Sequence, residues 1–468
     1  MEGLTTTRPT ASRLFPIKVA AARAAGGASR LAGRGATSLP GTVLLALDRD
    51  AIARLAARLP RGSVTISATN GKTTTAAFVS AILAREGIAT VDNFAGANMA
   101  GGVASALLAP RAHGRARPQL GVFEVDEFWL PAVAGALRPR VIVLANLFRD
   151  QLDRYGELET IGERWAEVVA RHSGLLVLGA DDPLVAELGA DDAQAIFFGI
   201  EDPAMGRASG LAHAADSKQC RRCGGAYSYE LVYVAHLGVY ECSQCGLRRP
   251  TPSVSARAIE LDGMRAASFE LHTPSGSQRV RIALPGLYNV YNALAAAALA
   301  TALEIPLATI AAGLGDARPM FGRAERLRVG ERELTILLMK NPAGANELLR
   351  TLALEPGSHD LLAILNDRDA DGRDVSWIWD ADFEEFAPRV RSATCAGTRA
   401  AELALRFKYA GVEPSKIAVE GGVERALDLA LAGAAPGTLY ALATYTAMLQ
   451  LRAVLERRGI AASSWERT

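Results

Sequence analysis

One stretch of the chain limits the possible folds more than any other. Residues 63–75 read Ser-Val-Thr-Ile-Ser-Ala-Thr-Asn-Gly-Lys-Thr-Thr-Thr, a β-branched run that breaks into a glycine-lysine-threonine turn and continues as a predicted helix. The backbone amides of such a turn and the N-terminus of the following helix form an anion site. Lys72 would add a positive charge, and Thr73 could offer its hydroxyl to a magnesium ion. The stretch therefore predicts a phosphate loop.

The phosphate-loop pattern is incomplete, so residues elsewhere must support it. Ile66 stands where the first glycine of the full pattern would lie. A later strand, predicted at 120–125, ends in the acidic run Glu124–Glu127. A solvated turn would explain such a run, but the carboxyl end of a parallel strand is also where magnesium would be held opposite a phosphate loop. Together with Lys72 and Thr73, the acidic run favours a magnesium site.

The order of predicted elements indicates an α/β protein. In the first part of the chain, strands are predicted at 42–47, from 63, near 88, and at 120–125, 141–144 and 175–178, with helices at 50–59 and 73–85. This spacing is typical of a parallel sheet covered on both faces. Two further segments, 268–271 and 279–284, alternate like an antiparallel pair.

A second α/β unit is predicted from about residue 327. Its strands are expected at 334–339, 361–365, 393–396, 417–419 and 439–443, alternating with helices in a Rossmann-like, doubly wound pattern. We therefore predict a basic helical segment at 1–40, a central domain at 41–326 and a Rossmann-like C-terminal domain at 327–468.

The net charge argues against nonspecific electrostatic binding of nucleic acid. The 468 residues include 51 basic and 50 acidic side chains, a net charge of +1. The opening is locally basic, because no acid lies between Glu2 and Asp48 whereas six cations do: Arg8, Arg13, Lys18, Arg23, Arg30 and Arg34. A helix with solvated basic side chains would explain this opening. The alternatives are a segment that contacts an anionic membrane surface and a transit peptide.

No secretion signal is recognisable in the sequence, so we expect a cytoplasmic protein. Peripheral attachment at the inner face of the membrane stays open. The apolar run at 293–303 is too short for the roughly 20 residues that span a bilayer.

Four cysteines have the spacing of a zinc ribbon. Cys220 and Cys223 form one Cys-x-x-Cys pair, and Cys242 and Cys245 form a second pair 18 residues later. Four thiolates complete a closed tetrahedral zinc site, which stabilises a fold and leaves no position for a reacting water. Disulfides would be unusual in a chain without an export signal. We predict a structural zinc ribbon inserted at about 212–252; nucleic-acid binding by its arginines is the minority alternative.

The motifs, taken in order, resemble the Mur ligase family. The match runs from about Gly33 to Leu455 and includes Asn289, Asn292 and the segment Gly322–Glu325. The resemblance implies a P-loop ATP-binding domain, magnesium on Thr73 and Glu124, adenine near Asn289 and Asn292, and a nucleotide contact from Arg323. The implied ATP-binding residues are Thr69, Asn70, Gly71, Lys72, Thr73, Thr74, Asn292 and Arg323.

Within that family the chain is most similar to the synthetase subunits of lipid II isoglutaminyl synthases. The four-cysteine ribbon and the segments 146–154, 340–344, 371–380 and 444–446 carry this closer resemblance. It implies that ATP phosphorylates the α-carboxylate of D-glutamate in the lipid II stem peptide and that ammonia then forms D-isoglutamine. Ala68, Gln151 and Tyr288 depart from the amino-acid-adding Mur ligases, and Gln151 puts a second metal at its position in doubt.

Ammonia must come from another chain. Glutamine hydrolysis needs an activated cysteine, and only Cys395, predicted to lie mid-strand in the core, remains outside the ribbon. The resemblance implies a heterodimer with a GatD-like glutaminase, whose catalytic pair an aspartate of this chain would complete. Asp374 is the best match, Asp371 and Asp367 are rivals, and all three could instead only order their loop. Two other functions stay open: a Mur ligase adding an amino acid to a UDP-linked precursor, and a zinc-ribbon NTPase that binds nucleic acid.

Overall fold

The computed structural model describes residues 14–31, 37–93, 97–108, 117–150, 158–208, 216–318, 323–433 and 437–461. We call residues 37–318 the central lobe and residues 323–461 the C-terminal lobe, because each is built on its own large sheet. A small hairpin forms a third sheet. Among the described residues, every helix is too short or too polar to cross a lipid bilayer.

Helices precede and interleave the strands of the central lobe. The helices are α1 (Phe15–Leu31), α2 (Leu39–Leu47), α3 (Ala51–Ala56), α4 (Lys72–Arg85), α5 (Ala100–Leu108), α6 (Leu130–Leu137), α7 (Leu158–Arg171), α8 (Pro183–Ala186), α9 (Leu287–Ala302) and α10 (Leu307–Asp316). The strands are β1 (Ser63–Ser67), β2 (Thr90–Asp92), β3 (Leu120–Glu124), β4 (Val141–Leu144), β5 (Leu175–Gly179), β6 (Ile196–Ile200), β7 (Tyr227–Val234), β8 (Leu237–Cys242), β9 (Val254–Asp262), β10 (Ala266–Thr273) and β11 (Gly276–Ile282).

The central sheet has the order β11-β10-β9-β6-β5-β4-β1-β3-β2. Its strands pair in parallel from β2 to β9, and β9, β10 and β11 pair antiparallel, which confirms the predicted pair at 268–271 and 279–284. Both faces are covered, with α4 and α9 packing on one side and Trp165 of α7 on the other. The phosphate-loop strand β1 therefore lies inside the sheet, and all five of its residues are buried.

The C-terminal lobe is a second α/β layer structure. Its elements are β12 (Arg323–Val329), β13 (Arg332–Leu338), α11 (Pro342–Leu352), β14 (His359–Ile364), α12 (Phe383–Phe386), β15 (Val390–Ala396), α13 (Ala400–Tyr409), β16 (Ile417–Val419), α14 (Val423–Gly433), β17 (Thr438–Ala443) and α15 (Tyr445–Arg457). The sheet order is β12-β13-β17-β14-β15-β16, and all pairs except β12–β13 are parallel. All five predicted strands are present.

One predicted strand is wrong. Residues 42–47, expected as the first strand, lie in helix α2. The run is apolar from Val43 to Leu47, and a continuous apolar run does not distinguish a strand from a buried helix. Pro40 occupies the first turn, where proline favours a helix start, and Gly41 packs so closely on α5 that a Cβ would lie 1.9 Å from the Gly101 carbonyl oxygen. The helix pairs with α1 and α5 and joins neither sheet.

Helix α1 is attached to the central lobe by its own cations. Lys18 Nζ donates to Asp48 Oδ2 at 3.1 Å, and Arg23 Nη2 donates to the Leu108 carbonyl at 2.8 Å. The guanidinium groups of Arg54 and Arg58 lie 5.8 and 5.7 Å from the Phe15 ring centroid. Part of the acid-free basic opening thus binds protein instead of facing solvent, while the residues before 14 lie outside the described part of the chain.

The predicted domain boundaries fall inside elements of the structure. The boundary at 40/41 lies within α2, and the boundary at 326/327 lies within β12. Because β12 pairs with β13, the C-terminal sheet begins at Arg323, four residues earlier than the sequence pattern indicated.

Candidate active site

The phosphate loop joins the carboxyl end of β1 to the start of α4, between the ends of the neighbouring strands β3 and β4. Gly71 has φ +91° immediately before Lys72 opens α4, so the turn uses a backbone conformation that favours glycine. The Asn70 backbone N–H donates to Asn146 Oδ1 at 2.9 Å, and the Thr69 N–H donates to the Asn146 carbonyl at 3.0 Å. Asn146, in the segment that follows β4, therefore holds the loop in shape.

Lys72 is paired with a carboxylate that the sequence analysis did not select. Its Nζ donates to Glu127 Oε2 at 2.7 Å and also contacts the Ala68 carbonyl. Burial opposes the charge of Lys72, but attraction to Glu127 and Asp126 prevails and raises the pKa of Lys72. Burial likewise acts against ionised Glu127, and Lys72 and Lys340 overcome it to lower the pKa of Glu127. Both groups are thus held charged in a buried site.

Glu124 ends β3 directly beside the phosphate-loop strand. The residue pairs with Ile66 in the parallel register, and Asn93 binds both its backbone N–H and its carbonyl, at 3.0 and 2.8 Å. Glu124 and Asp126 are both buried and line the same cavity as Thr73. Carboxylate and hydroxyl oxygens are the ligands that magnesium prefers.

The start of α9 reaches the same loop. Asn289 Nδ2 donates to the Pro285 carbonyl at 2.7 Å, and Asn292 Nδ2 donates to Asn289 Oδ1 at 3.0 Å. Asn292 lies directly on Gly71, because a Cβ built on that glycine would be 1.9 Å from Asn292 Oδ1. The two asparagines are therefore fixed against the phosphate loop.

Gly71→Ala is expected to weaken nucleotide binding about tenfold or more. The new methyl group would collide with Asn292 in a backbone conformation that already costs an L-residue about 1–2 kcal/mol. Gly62→Ala is the matched control, because Gly62 also has a positive φ, +73°, but its Cβ would meet nothing within 4 Å. Calorimetric titration with Mg-ADP checks the prediction, and equal affinity in the two variants would contradict it.

The C-terminal lobe completes the site with Lys340 and Asn341. Lys340 Nζ donates to Asp150 Oδ2 at 2.5 Å and to the Thr69 carbonyl at 2.9 Å. The side-chain amides of Asn341 and Asn70 exchange two hydrogen bonds, at 3.0 and 3.3 Å. Burial raises the pKa of Asp150 in spite of the attraction to Lys340. These contacts bring a second cation within reach of the phosphate loop and hold the lobes closed.

Lys340→Met is expected to lower the turnover of the ATP-dependent reaction about 10- to 100-fold, because it removes the cation that joins the lobes and leaves Asp150 buried without its partner. Lys416→Met is the matched control, since Lys416 is exposed and lies 3.9 Å from Glu413 in the same lobe. The measurement is the steady-state rate at saturating ATP. Equal rates in the two variants would show that Lys340 does not contribute to turnover.

A cavity of about 330 Å³ lies between the two lobes. Its lining includes Lys72, Glu124 and Asn292 from the central lobe and Lys340 and Tyr445 from the C-terminal lobe. Of the predicted ATP-binding residues, Thr69, Asn70, Gly71, Lys72, Thr73, Thr74 and Asn292 all line it. The backbone of Arg323 begins β12, but its side chain lies outside what the structure describes.

The three candidate aspartates have different surroundings. Asp371 is buried and accepts hydrogen bonds from the Thr446 N–H and hydroxyl, at 2.7 and 2.5 Å. Asp367 binds Thr398 and Arg399 at 2.7 and 2.8 Å.

Asp374 is exposed and accepts hydrogen bonds from Ser376, whose backbone N–H donates to Asp374 Oδ1 at 2.8 Å. These hydrogen bonds lower the pKa of Asp374 and keep the carboxylate ionised. Asp374 is thus the most accessible of the three aspartates.

The four cysteines converge as their spacing predicts. Their Sγ atoms all lie within 4.8 Å of one another, with Cys220–Cys245 at 3.7 Å and Cys223–Cys242 at 3.5 Å. The Gly225 N–H points to Cys223 Sγ at 3.4 Å. Hydrogen bonds from the backbone of Cys245 and Gln244 lower the pKa of Cys242 to about 6. The cluster joins the end of β8 to the segment before β7; residues 212–215 of the predicted insertion lie outside the described chain.

Comparison with known proteins identifies the family. Residues 66–240 match the Mur ligase middle domain, and residues 338–448 match the MurT ligase C-terminal domain. Over 435 residues, 92% of this chain and 94% of its relative, the sequence is 34% identical to the MurT subunit of lipid II isoglutaminyl synthase (glutamine-hydrolyzing) from Streptococcus pneumoniae. The chain belongs to the MurT family of Mur ligases. A Staphylococcus aureus MurT is 34% identical over 82% of this chain and 86% of that protein.

Solved structures place this MurT chain in the Mur ligase fold. A pseudomurein peptide ligase type C from Methanothermus fervidus superimposes with a TM-score of 0.66 and 25% identity, covering 86% of this chain and 80% of that one. The two domain matches and the two MurT relatives confirm the resemblance stated from the sequence motifs. Among the departures from amino-acid-adding relatives, Tyr288 lines the cavity, whereas Gln151 lies outside the described residues.

Sequence reasoning missed the role of three residues in this MurT site: Glu127, Lys340 and Asn341. Glu127 belongs to the acidic run already noted, so its proximity to the loop was a usable signal. Nothing local pairs Lys340 or Asn341 with the phosphate loop, because 271 residues separate each of these pairs.

Cys395 is a core residue, as predicted. It lies in β15 between β14 and β16, and burial raises its pKa to about 12. A thiol with such a pKa stays protonated at neutral pH, and the protonated form is a poor nucleophile.

Proposed function

We propose that this MurT chain is the synthetase subunit of a lipid II isoglutaminyl synthase. It would use ATP to phosphorylate the α-carboxylate of D-glutamate in the stem peptide of lipid II. The observation that carries the proposal is the cavity between the lobes. A phosphate loop, the buried carboxylates of Glu124, Asp126 and Glu127 and a lysine of the C-terminal lobe meet there, in a chain that aligns with 94% of a MurT relative.

The site chemistry follows from charge. A carboxylate is a weak electrophile until one of its oxygens attacks the γ-phosphorus of ATP and ADP leaves. Phosphoryl transfer mainly needs positioning and neutralisation of developing charge, which Lys72 and Lys340 provide from opposite lobes. Thr73 and Glu124, with Asp126 beside them, would hold magnesium, which would supply positive charge to neutralise the phosphates.

Amide formation requires ammonia in the same cavity. Its nitrogen attacks the carbonyl carbon of the acyl phosphate, the C–O bond to phosphate breaks, and a proton leaves the nitrogen. Ammonia would come from a GatD-like glutaminase subunit, since Cys395 is buried and its raised pKa disfavours the nucleophilic thiolate. Asp374 would complete the catalytic pair of that partner. Its exposure supports this assignment over Asp371, which is buried, and over Asp367, which is half-buried and paired with Arg399.

The four-cysteine cluster fits structural zinc. Sulfur–sulfur distances of 3.5 and 3.7 Å suit four thiolates around one ion with Zn–S bonds of about 2.3 Å. Cys220, Cys223, Cys242 and Cys245 would fill all four positions, so zinc would stabilise the fold and take no part in the chemistry.

Incubation with Mg-ATP, lipid II and ammonium chloride tests the proposal. We expect ADP and a lipid product whose mass reflects replacement of one carboxylate hydroxyl by an amino group. Transfer of an added amino acid to a UDP-linked precursor would favour an ordinary Mur ligase. ATP hydrolysis stimulated by nucleic acid, without amide formation, would favour a zinc-ribbon NTPase and overturn the proposal.

A further inference from the structure

The cysteine cluster belongs to a hairpin whose other end is buried in the central lobe. Strands β7 and β8 meet in a tight turn at Ala235 and His236, and His236 is completely inaccessible to solvent. The Gly238 N–H donates to the Asp181 carbonyl at 2.9 Å, and the Tyr240 hydroxyl donates to the Ala180 carbonyl at 3.3 Å. The hairpin tip therefore packs in the same core as β1 and α9.

The tip touches the nucleotide cavity directly. Val234 and Leu237 line the cavity together with Lys72. His236 lies between these two residues in the sequence, and its ring centroid is 4.9 Å from the ring centroid of Phe148. The Phe148 N–H in turn donates to Thr69 Oγ1 in the phosphate loop at 3.0 Å. Two contacts thus connect the hairpin tip to the loop.

A second contact ties the base of the insertion to the same segment. Asp216 Oδ2 accepts from the Arg149 backbone N–H at 2.9 Å, and the Arg149 side chain also binds Asp216. Asp216 precedes Cys220 by four residues, and Arg149 lies between Phe148 and Asp150, the partner of Lys340. Two neighbouring residues of this segment, Phe148 and Arg149, are therefore contacted by the hairpin tip and by the start of the insertion.

The cysteine cluster lies at the opposite end of the hairpin from this contact. Cys242 is the last residue of β8, and five residues at about 3.4 Å each place it about 17 Å along the strand from Leu237. The rings of Tyr227, Tyr229 and Tyr240 fill the space between, with centroids 5.3–6.4 Å apart. A metal ion that joins the two strand ends would fix the hairpin from its base to its tip.

We propose that the hairpin is a wall of the nucleotide cavity, that metal binding by the four cysteines is coupled to nucleotide binding, and that His236 is the positioning residue that transmits the coupling through Phe148. This inference rests on the proposed zinc and ATP sites. Coupling between two sites is reciprocal: the factor by which zinc strengthens nucleotide binding equals the factor by which nucleotide strengthens zinc binding.

A thermodynamic cycle on the full chain tests the coupling. Mg-ADP affinity is measured by calorimetry on zinc-loaded protein and on chelator-treated protein whose fold is verified by circular dichroism. Zinc affinity is measured against a competing chromogenic chelator with and without saturating Mg-ADP. We expect about a tenfold change in both directions. Equal Mg-ADP affinity in the loaded and zinc-free folded protein would overturn the proposal.

His236→Gln tests the transmitting residue. We expect the tenfold coupling factor to fall close to one, whereas a variant that is only destabilised would lose affinity in both metal states and keep the factor. His272→Gln is the matched control, because His272 is partly exposed on β10 and lies 3.4 Å from Glu270, not in the cavity lining. If His236→Gln does not fold, Phe148→Leu breaks the same contact from the other side. An unchanged factor in the folded variant excludes His236 as the transmitter.

The same measurements separate this inference from the function on which it rests. Failure to bind zinc, or failure to bind Mg-ADP in any metal state, contradicts the proposed sites themselves. Binding of both ligands with independent affinities leaves those sites intact and rejects only the coupling.

Discussion

Lys72→Met is expected to reduce amide formation about a thousandfold, whether ammonium or glutamine supplies the nitrogen. The charge of Lys72 is buried, its pKa is raised, and it lies at the turn whose backbone would hold the phosphates. Removing one preorganised charge-stabilising group from such a site typically costs 10²–10³ in rate, and here the same lysine would also orient ATP. The measurement is the initial rate of lipid amidation at saturating Mg-ATP.

Loss of the lysine also leaves Glu127 buried without its closest partner, which could unfold the protein and imitate a catalytic defect. The double variant Lys72→Met/Glu127→Gln removes both charges and separates these effects. We expect it to recover the melting temperature of the unmodified protein to within a few degrees while staying inactive. An ammonium-driven rate within about threefold of the unmodified protein would show that Lys72 is not part of the phosphoryl-transfer site.

Asp374→Asn is expected to abolish glutamine-driven amidation, by at least about a hundredfold, and to leave ammonium-driven amidation unchanged. The reason is geometric: Asp374 is exposed on the loop that follows β14, where its ionised carboxylate can reach a second chain. The test compares the two nitrogen sources in the complex with the glutaminase subunit. Equal losses with both sources, or no loss with either, would remove Asp374 from the glutaminase reaction.

Two neighbouring aspartates provide controls for this experiment. Asp369→Asn changes an exposed residue of the same loop that pairs with Arg373 at 2.9 Å, and we expect it to leave both activities intact. Asp371→Asn breaks the hydrogen bonds that hold Thr446 at the start of α15, so both activities are expected to fall together. A selective loss with glutamine in Asp371→Asn would transfer the proposed role from Asp374 to Asp371.

The features that the sequence predicted correctly depend on neighbouring residues. The phosphate loop follows from a strand, a glycine turn and a helix within 13 residues, and the cysteine cluster follows from two short Cys-x-x-Cys motifs. The C-terminal strands were found because each is a short apolar run bounded by polar residues. The prediction of a strand at 42–47 was wrong because an apolar run lacks the alternation that would distinguish a strand from a buried helix.

The features that the sequence could not predict depend on contacts between distant residues. The exchange of amide hydrogen bonds between Asn70 and Asn341 joins residues 271 apart, and no local pattern favours that pairing. The sequence analysis did not single out His236, and only the fold shows that it is buried against Phe148. Glu127 lies only three residues after Glu124. Deciding which of the two pairs with Lys72 required the position of Lys72 in the structure.

The alanine-rich helix α9 determines how closely Asn292 approaches the phosphate loop. Residues 293–298 carry five alanines and one leucine, all inaccessible to solvent where the helix crosses β4, β5 and β6. Larger side chains there would stabilise the fold by about 0.8 kcal/mol for each additional buried methylene. The alanines give up that stabilisation, and the helix can pack closer to the sheet. The methyl groups act as thin spacers that let the helix axis lie low over the sheet. That low position is what brings the amide of Asn292 into contact with the bare α-carbon of Gly71.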